Sequence, residues 1–294
     1  MLQAIALQEA VRRGSTLLLV FGGDDGRSYL VRCGDNGDSV KRQVVDWLSS
    51  GLAALLHLPV LAPVTIEISG SDLFPACLDS ELGEIVDRIP GVRLAVPCIE
   101  DATALCWGDV LTVISETSDD IFLFDVLVGN LDRTWDNTGM LRSGCRLYYH
   151  DFPCSMAMRS ALEGRDSAMF QSGVFRRHPF YREGVTAKRF RRRVQAVSDA
   201  SLAAVAATVP DVWLPRLFPM IDAAARERKV FRALQLVRDR VLRLDAMIAA
   251  IERSQVDPEG RRVSRMLGNR MTFLAYLEKI GPCPQLLAGE GRYP

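Results

Sequence analysis

The sequence predicts an α+β fold, in which a strand-rich first part is followed by a mainly helical second part. Two β-rich runs, Thr16–Phe21 and Ser28–Cys33, flank a glycine-rich turn in a pattern typical of a β-hairpin. From Asp101 onwards apolar residues recur at helical spacing, most clearly between Leu217 and Ile251. With 294 residues, 48% of them apolar and 24% charged, the chain has the composition of a globular protein.

The other elements of the first part follow from local signals. Residues 3–13 are predicted to form a short helix. An apolar stripe from Ser39 to Leu56 predicts a longer helix that ends before the next proline. Residues 64–68 and 92–96 are short runs of strand-forming residues and are predicted strands. A second short helix is expected at 80–89.

The second part begins with a helix, a loop and a hairpin. Residues 118–120, Ser-Asp-Asp, are predicted to cap an apolar helix and to supply its acidic first turn. A polar loop at 130–137 and two short strands, 139–142 and 146–149, come next. Helical spacing predicts three further helices, at 202–209, 217–251 and 263–280.

The formal net charge is zero, but the charges are segregated along the chain. Residues 1–151 carry 22 acidic and 11 basic side chains, whereas residues 152–294 carry 14 and 25. A zero sum excludes a global attraction to nucleic acid or to anionic membranes. The basic stretch 176–193 has two interpretations, a surface for nucleic acid or an acidic partner, or a solvated face whose arginines pair with the acidic half. We favour the second interpretation.

Cysteine usage and hydropathy indicate a cytoplasmic protein with no membrane span. The seven cysteines form no C-x-x-C pair and only three histidines accompany them, so no zinc scaffold is visible. Scattered thiols are typical of a reducing compartment. No apolar run reaches the roughly 20 residues that a bilayer span needs, and the N-terminus does not resemble a secretory signal.

Three polar residues between 130 and 151 suggest chemistry. Asp132 is followed five residues later by Asn137, and Asp151 follows the predicted hairpin. We expect all three to face one cleft, although each could instead be an ordinary turn residue. Phosphoryl transfer from ATP needs one carboxylate to orient the attacking hydroxyl, and a second carboxylate and an amide oxygen to bind Mg²⁺. The D-x-x-x-x-N spacing with a later Asp is that of the protein-kinase catalytic loop.

The same residues carry a resemblance to a known family. Asn130-Leu131-Asp132-Arg133 with Asn137, followed by LYYHD, resembles the N-x-D-R-x-x-x-N loop of compact HipA-like kinases. Segments 28–33, 43–63 and 209–213 resemble the third strand, the following helix and a C-terminal element of that family. The resemblance covers roughly residues 15–250. It implies a bilobal protein-kinase-like fold, with an N-lobe at 1–98 and a C-lobe with a helical C-terminal extension at 99–294.

The resemblance also implies the roles of individual loop residues. Asp132 would be the catalytic base or the residue that orients the acceptor hydroxyl. Asn137 and Asp151 would bind Mg²⁺. The activity implied is ATP- and Mg²⁺-dependent phosphorylation of a Ser/Thr hydroxyl of a protein. Because better-studied members of the wider family include toxins neutralised by a partner, a regulatory partner protein is also implied.

In the first part, the resemblance assigns the remaining contacts to ATP. Arg32 stands where the family has its phosphate-binding lysine, and Asp46 where it has the partner glutamate. The backbone at 97–99 would be the hinge that holds adenine. The chain departs from the family at three points: Arg32 replaces Lys, Asp46 replaces Glu, and Asp151 precedes Phe-Pro where protein kinases have Phe-Gly. The alternative is therefore a catalytically impaired pseudokinase that binds nucleic acid or protein through 176–193.

Overall fold

The computed structural model describes residues 1–13, 16–33, 39–70, 73, 89–105, 110, 115–135, 137–166 and 170–254. The helix expected at 263–280 lies outside these residues, as does that expected at 80–89 except for its last residue.

The first part is a five-stranded sheet that closes into a barrel in the order β1-β2-β3-β5-β4. Its strands are β1 (Leu2–Arg13), β2 (Thr16–Gly23), β3 (Ser28–Cys33), β4 (Val64–Ile68) and β5 (Gly91–Pro97). Four pairings are antiparallel, and a short parallel pairing of β1 with β4, at Leu2↔Ile66 and Gln3↔Glu67, closes the barrel. Because the sheet closes, each of its five strands pairs with a neighbouring strand on both sides.

The helix expected at residues 3–13 is wrong, because this segment is strand β1. Its Ala, Leu, Gln, Glu and Arg residues favour a helix locally. They form a strand because β2 pairs with them antiparallel, from Ala4↔Gly23 to Arg13↔Thr16. Pairing with a neighbouring strand outweighs intrinsic propensities that differ by less than about 1 kcal/mol per residue.

The second part is mainly helical, as predicted, and carries a small second sheet. That sheet has the order β6-β7-β8, with β6 (Thr103–Ala104), β7 (Met140–Ser143) and β8 (Arg146–Tyr149). Helix α1 (Ser39–Leu55) belongs to the first part, between β3 and β4. The helices described in the second part are α2 (Ser115–Val128), α3 (Met156–Leu162), α4 (Ser172–Phe175), α5 (Lys188–Gln195), α6 (Asp199–Ala207), α7 (Leu214–Leu217), α8 (Ala223–Asp239) and α9 (Leu244–Arg253).

Helices α2, α6 and α8 begin at residues other than those expected from the sequence. Helix α6 is Asp199–Ala207, whereas 202–209 was expected. Helix α2 begins at Ser115, three residues before the predicted cap. The helix expected at 217–251 begins at Ala223, because the Asp222 carboxylate accepts the N–H of Ala225 at 2.8 Å and caps it there. The same segment is interrupted by a 3₁₀ turn at Arg240–Arg243.

The apolar residues form one large core and several smaller ones. The barrel interior is filled by its own cluster, which includes Leu19, Phe21 and Ile66. The buried face of α1 belongs instead to the large core of the helical part, together with the apolar face of α2. Helix α1 is therefore anchored on the helical part, which follows it in the chain.

Helices α1 and α6 approach closely at Gly51. A Cβ atom built on Gly51 would lie 2.6 Å from Cγ1 of Val205, closer than side chains tolerate. Nearby, the Trp47 and Trp213 rings pack edge to face with centroids 5.8 Å apart, and the Trp213 indole N–H donates to the Val92 carbonyl. These contacts connect α1, β5 and the segment before α7.

No helix among the described residues combines the length and the apolar character that crossing a membrane requires.

We expect Gly51→Ala to lower the free energy of unfolding by about 1–3 kcal/mol, because the added methyl group clashes with Val205. In a Val205→Ala background the clash is relieved, and the same substitution should add up to about 1 kcal/mol through better helix propensity. Denaturant unfolding of the four proteins of this cycle measures both effects. Equal effects of Gly51→Ala in the two backgrounds would contradict the close contact.

Candidate active site

The polar loop follows Gly129, the first residue after α2 ends at Val128. This glycine has φ of 71°, and a Cβ built on it would lie 2.9 Å from the backbone nitrogen of Ala157. Only glycine fits this close approach, so α2 stops here and the chain turns towards β7. Within the loop, Thr134 and Asn137 exchange backbone hydrogen bonds of 3.0 and 3.2 Å. These two bonds hold Thr134 and Asn137 next to each other.

Asp132 and Asn137 lie next to each other in this loop. The Asn137 side-chain amide donates to the Asp132 carbonyl oxygen at 3.2 Å. The Asp132 N–H lies 3.4 Å from the side-chain oxygen of Asn130. The Asp132 side chain is exposed and that of Asn137 is half-buried. The first two of the predicted site residues are therefore adjacent, and the Asp132 carboxylate is on the surface.

Asp151 follows β8 directly and has an unusual backbone conformation. Its φ is 77°, in the left-handed region that residues other than glycine rarely adopt. Its carbonyl oxygen accepts hydrogen bonds of 3.3 Å from the side chains of Asn130 and Arg133. The same loop that carries Asp132 therefore also holds the backbone of Asp151.

Asp46 connects α1 to the residue after Asp151. Its carboxylate is buried and accepts the backbone N–H of Phe152 at 3.2 Å, with the Ser50 hydroxyl at 3.4 Å. The resemblance places Asp46 beside the phosphate-binding residue, and its contact with Phe152 shows a further role. Through this hydrogen bond α1 is joined to the Asp151 segment.

The structure describes the backbone of Arg32 but not its side chain. Arg32 pairs with Leu18 across β2 and β3, so it lies on the strand that the resemblance indicates. The expected hinge is tied to the same hairpin, because the Cys98 N–H donates to the Ser28 carbonyl at 2.9 Å. Burial raises the pKa of the Cys98 thiol to about 11, so this thiol is protonated at neutral pH.

At the centre of the site lies a carboxylate that the sequence analysis missed. Asp125, on α2, is fully buried and accepts four side-chain hydrogen bonds. They come from Asn130 Nδ2 at 3.0 Å, Arg133 Nε at 2.6 Å, Tyr149 Oη at 2.5 Å and His178 Nε2 at 2.9 Å. Two of these donors come from the loop, one from β8 and one from the segment after α4, so Asp125 joins these three parts of the chain to α2.

Arg133 extends this network to the backbone of the loop and of the hairpin exit. Its five N–H donors reach five acceptors, the Asp125 carboxylate and the carbonyl oxygens of Thr138, Gly139, His150 and Asp151. The guanidinium also lies 4.2 Å from the centre of the Tyr149 ring. Lysine could not replace it, because an ammonium has three donors and no planar fork. A single side chain thus holds the loop and Asp151 together.

Charge balance in this buried cluster follows from its contacts. Burial alone would raise the pKa of Asp125, but the Arg133 charge and the hydrogen bonds from His178 and Tyr149 outweigh it and lower that pKa. Burial lowers the pKa of His178 despite its hydrogen bond to Asp125, which favours the neutral ring. With a neutral His178, the negative charge of Asp125 is paired with the positive charge of Arg133.

One feature of the sequence indicates this buried cluster. Asp125 interrupts the apolar run IFLFDVLVG, and an acid inside a buried helix is almost always paired. Arg133 is part of the family motif, but the motif assigns no role to its side chain. The contribution of His178 could not be found, because it lies 53 residues from Asp125 in the chain.

Several arginines of the basic stretch 176–193 pair with carboxylates. Arg182 binds Asp119, Arg189 binds Glu116 and Asp120, Arg193 binds Asp120, and Arg191 binds Asp245. Three of these arginines therefore neutralise the N-terminal half of α2, which belongs to the acidic half of the chain. This pairing agrees with the favoured interpretation and weighs against a nucleic-acid surface.

The donor set fits a magnesium ion bound together with phosphate. Asn137 uses its amide nitrogen on the Asp132 carbonyl, so its side-chain oxygen is the atom left to bind a cation. Asp151 offers a carboxylate. No group of three or more His, Cys, Asp or Glu residues suited to a metal occurs in the described part of the chain. Mg²⁺ in phosphoryl-transfer sites does not need one, because phosphates and water supply its other ligands.

We expect Asp125→Asn to destabilise the protein by about 3–5 kcal/mol, because it leaves the Arg133 charge buried without its counterion. A matched control is Asp199→Asn, which removes an exposed carboxylate from its pair with the partly exposed Arg238 and should cost less than about 1 kcal/mol. Denaturant unfolding curves measure both. Equal losses in the two variants would show that the buried pair contributes no more than a surface pair.

Comparison with known proteins supports the family suggested by the loop. The sequence model of the HipA-like kinase family matches residues 5–240, most of the chain. No curated protein matches. The crystal structure of the proinflammatory kinase CtkA from Helicobacter pylori is similar with a TM-score of 0.47 and 10% sequence identity, over 85% of this chain and 96% of that one. The chain belongs to the HipA-like kinase family.

Proposed function

We propose that the protein is an ATP- and Mg²⁺-dependent phosphotransferase that acts on a hydroxyl acceptor. The observation that carries this proposal is the Arg133 network. It joins the loop bearing Asp132 and Asn137 to the segment bearing Asp151. Phosphoryl transfer requires one carboxylate near the acceptor hydroxyl. It also requires an amide oxygen and a second carboxylate that bind the metal.

In the proposed mechanism Asp132 accepts a hydrogen bond from the acceptor hydroxyl and directs its oxygen at the γ-phosphorus of ATP. Its exposure on the loop leaves room for a protein acceptor. The hydroxyl proton passes to this carboxylate as the new P–O bond forms, and ADP leaves. Asn137 and Asp151 would hold Mg²⁺, which would neutralise phosphate charge when bound.

ATP would lie between the barrel and the helical part, which corresponds to a bilobal arrangement divided near residue 98. Arg32 would contact the phosphates. Asp46 would pair with Arg32 while also accepting the backbone N–H of Phe152. The expected hinge is flanked by two apolar clusters that share Val96. One contains Leu18, Val20, Leu30 and Cys98, and the other contains Leu61, Ile99, Ala102 and Leu141. Apolar surfaces on both sides of a hinge suit a flat purine ring.

The acceptor in this proposal is a Ser or Thr hydroxyl of another protein. Its support is the exposure of Asp132, because a small acceptor would be better served by an enclosed site. A regulatory partner protein, also implied by the family, would act by covering this surface.

We expect Asp132→Asn and Asp151→Asn each to reduce phosphate transfer at least about 100-fold without unfolding the protein. The matched control is Asp211→Asn, the same change at an exposed residue outside the site. Transfer of the γ-phosphate to protein acceptors from a cell extract, or its release as phosphate, measures the activity. Full activity in either site variant would refute the roles assigned here.

Nucleotide binding is tested independently of transfer. ATP with Mg²⁺ should raise the melting temperature, because a ligand that binds only the native state stabilises it. The shift should shrink with EDTA and in Asp151→Asn, and persist in Asp132→Asn, whose residue contacts the acceptor. A shift without any phosphate transfer would identify the pseudokinase alternative, and no shift at all would contradict an ATP site.

A further inference from the structure

His178 lies near the N-terminal end of the basic stretch 176–193 and belongs to the buried cluster around Asp125. Its side chain is only 1% exposed, and its Nε2 lies 2.9 Å from Oδ2 of Asp125. Neither the family motif nor the proposed mechanism assigns it a role. Its burial among the residues that shape the loop raises the question of what it does there.

Both nitrogens of the His178 ring are used, and this fixes its tautomer. The backbone N–H of Phe180 donates to Nδ1 at 3.0 Å, so Nδ1 carries no hydrogen. The single ring hydrogen is therefore assigned to Nε2. Burial lowers the pKa of His178, which favours this neutral form. His178 is thus a donor to Asp125 and an acceptor from Phe180. The Phe122 ring packs edge-on against it at a centroid distance of 5.2 Å.

The hydrogen bond from His178 completes the set of four hydrogen bonds that the Asp125 carboxylate accepts. Oδ1 accepts from Asn130 and Tyr149, whereas Oδ2 accepts from Arg133 and His178. With two donors on each oxygen, the carboxylate plane cannot rotate without losing bonds. A fixed carboxylate in turn fixes the guanidinium of Arg133.

The segment that carries His178 is itself fastened at two places. Arg176 donates to the Ser254 carbonyl oxygen at 2.7 Å after α9, and Arg182 binds Asp119 on α2 with both ends of its fork. Asp119 and Asp125 lie on the same helix. The segment is therefore held to the end of α9 before His178 and to α2 after it, which keeps the ring directed at Asp125.

We propose that His178 is a positioning residue of the phosphotransfer site, whose Nε2–H holds Asp125 and, through Arg133, the loop that carries Asp132 and Asn137. It touches neither ATP nor the acceptor. Its catalytic consequence rests on the function proposed above, whereas its effect on the order of the loop does not. The basic stretch 176–193, for which a binding surface was one interpretation, would thus contribute a buried side chain to the active site.

The test compares three substitutions at His178. Gln keeps an N–H donor near the position of Nε2 and should preserve the bond to Asp125. Asn offers an acceptor to Phe180 but cannot reach Asp125, and Leu provides neither. His57→Asn is the matched control, because His57 is exposed and Asn tolerates its left-handed φ of 54°.

Two readouts separate positioning from general stability. Hydrogen exchange of the amides of Thr134 and Asn137, which bond to each other's carbonyl, reports on the loop. We expect roughly 10-fold faster exchange in His178→Leu and His178→Asn, and near wild-type exchange in His178→Gln. The kcat should fall about 10- to 100-fold in the first two, with the KM for ATP little changed.

The possible outcomes are distinct. Unchanged exchange and kcat in a folded His178→Leu variant would overturn the proposal, and so would equal defects in Gln and Leu. If His178→Leu does not fold, His178→Gln is compared with His178→Asn instead, and equal defects in these two variants would overturn the proposal. If the wild type transfers no phosphate, the proposed function fails, and the exchange measurement still decides whether His178 orders the loop.

Discussion

A buried arginine is stable only next to a counterion, and in this protein that constraint organises the site. Burying a charge without a partner costs several kcal/mol, so Arg133 must remain where Asp125 can neutralise it. Once it is there, its remaining donors require acceptors. The carbonyl oxygens that meet them belong to the loop after α2 and to the exit of β8. The shape of the site is therefore a consequence of satisfying one guanidinium.

This arrangement explains how the residues proposed for the site are positioned on loops. Asp132 is at the surface, and Asp151 has a left-handed backbone that costs of order 1–3 kcal/mol. Such a conformation persists only when its surroundings enforce it. Here Arg133 holds the carbonyl of Asp151, and Asp46 on α1 holds the N–H of the next residue, Phe152. The segment is thus fixed from both the loop and α1.

Elements with local signals were predictable from sequence, whereas those that depend on distant partners were not. The β2–β3 hairpin, α1 and the loop before β7 follow from turn residues and apolar periodicity, which act within a few residues. Strand β1 has helix-forming residues and becomes a strand only through pairing with β2 and β4. Asp132, Asn137 and Asp151 could be proposed from their spacing. Asp125 and His178 could not be paired, because only the packing of α2 brings them together.

The most direct test is the structure of the protein with Mg²⁺ and a non-hydrolysable ATP analogue. The account predicts a metal ion about 2.0–2.1 Å from the side-chain oxygens of Asn137 and Asp151. It also predicts that the γ-phosphate points towards Asp132, with Arg133 still bound to Asp125. A nucleotide bound elsewhere, or a metal held by other residues of the chain, would contradict it.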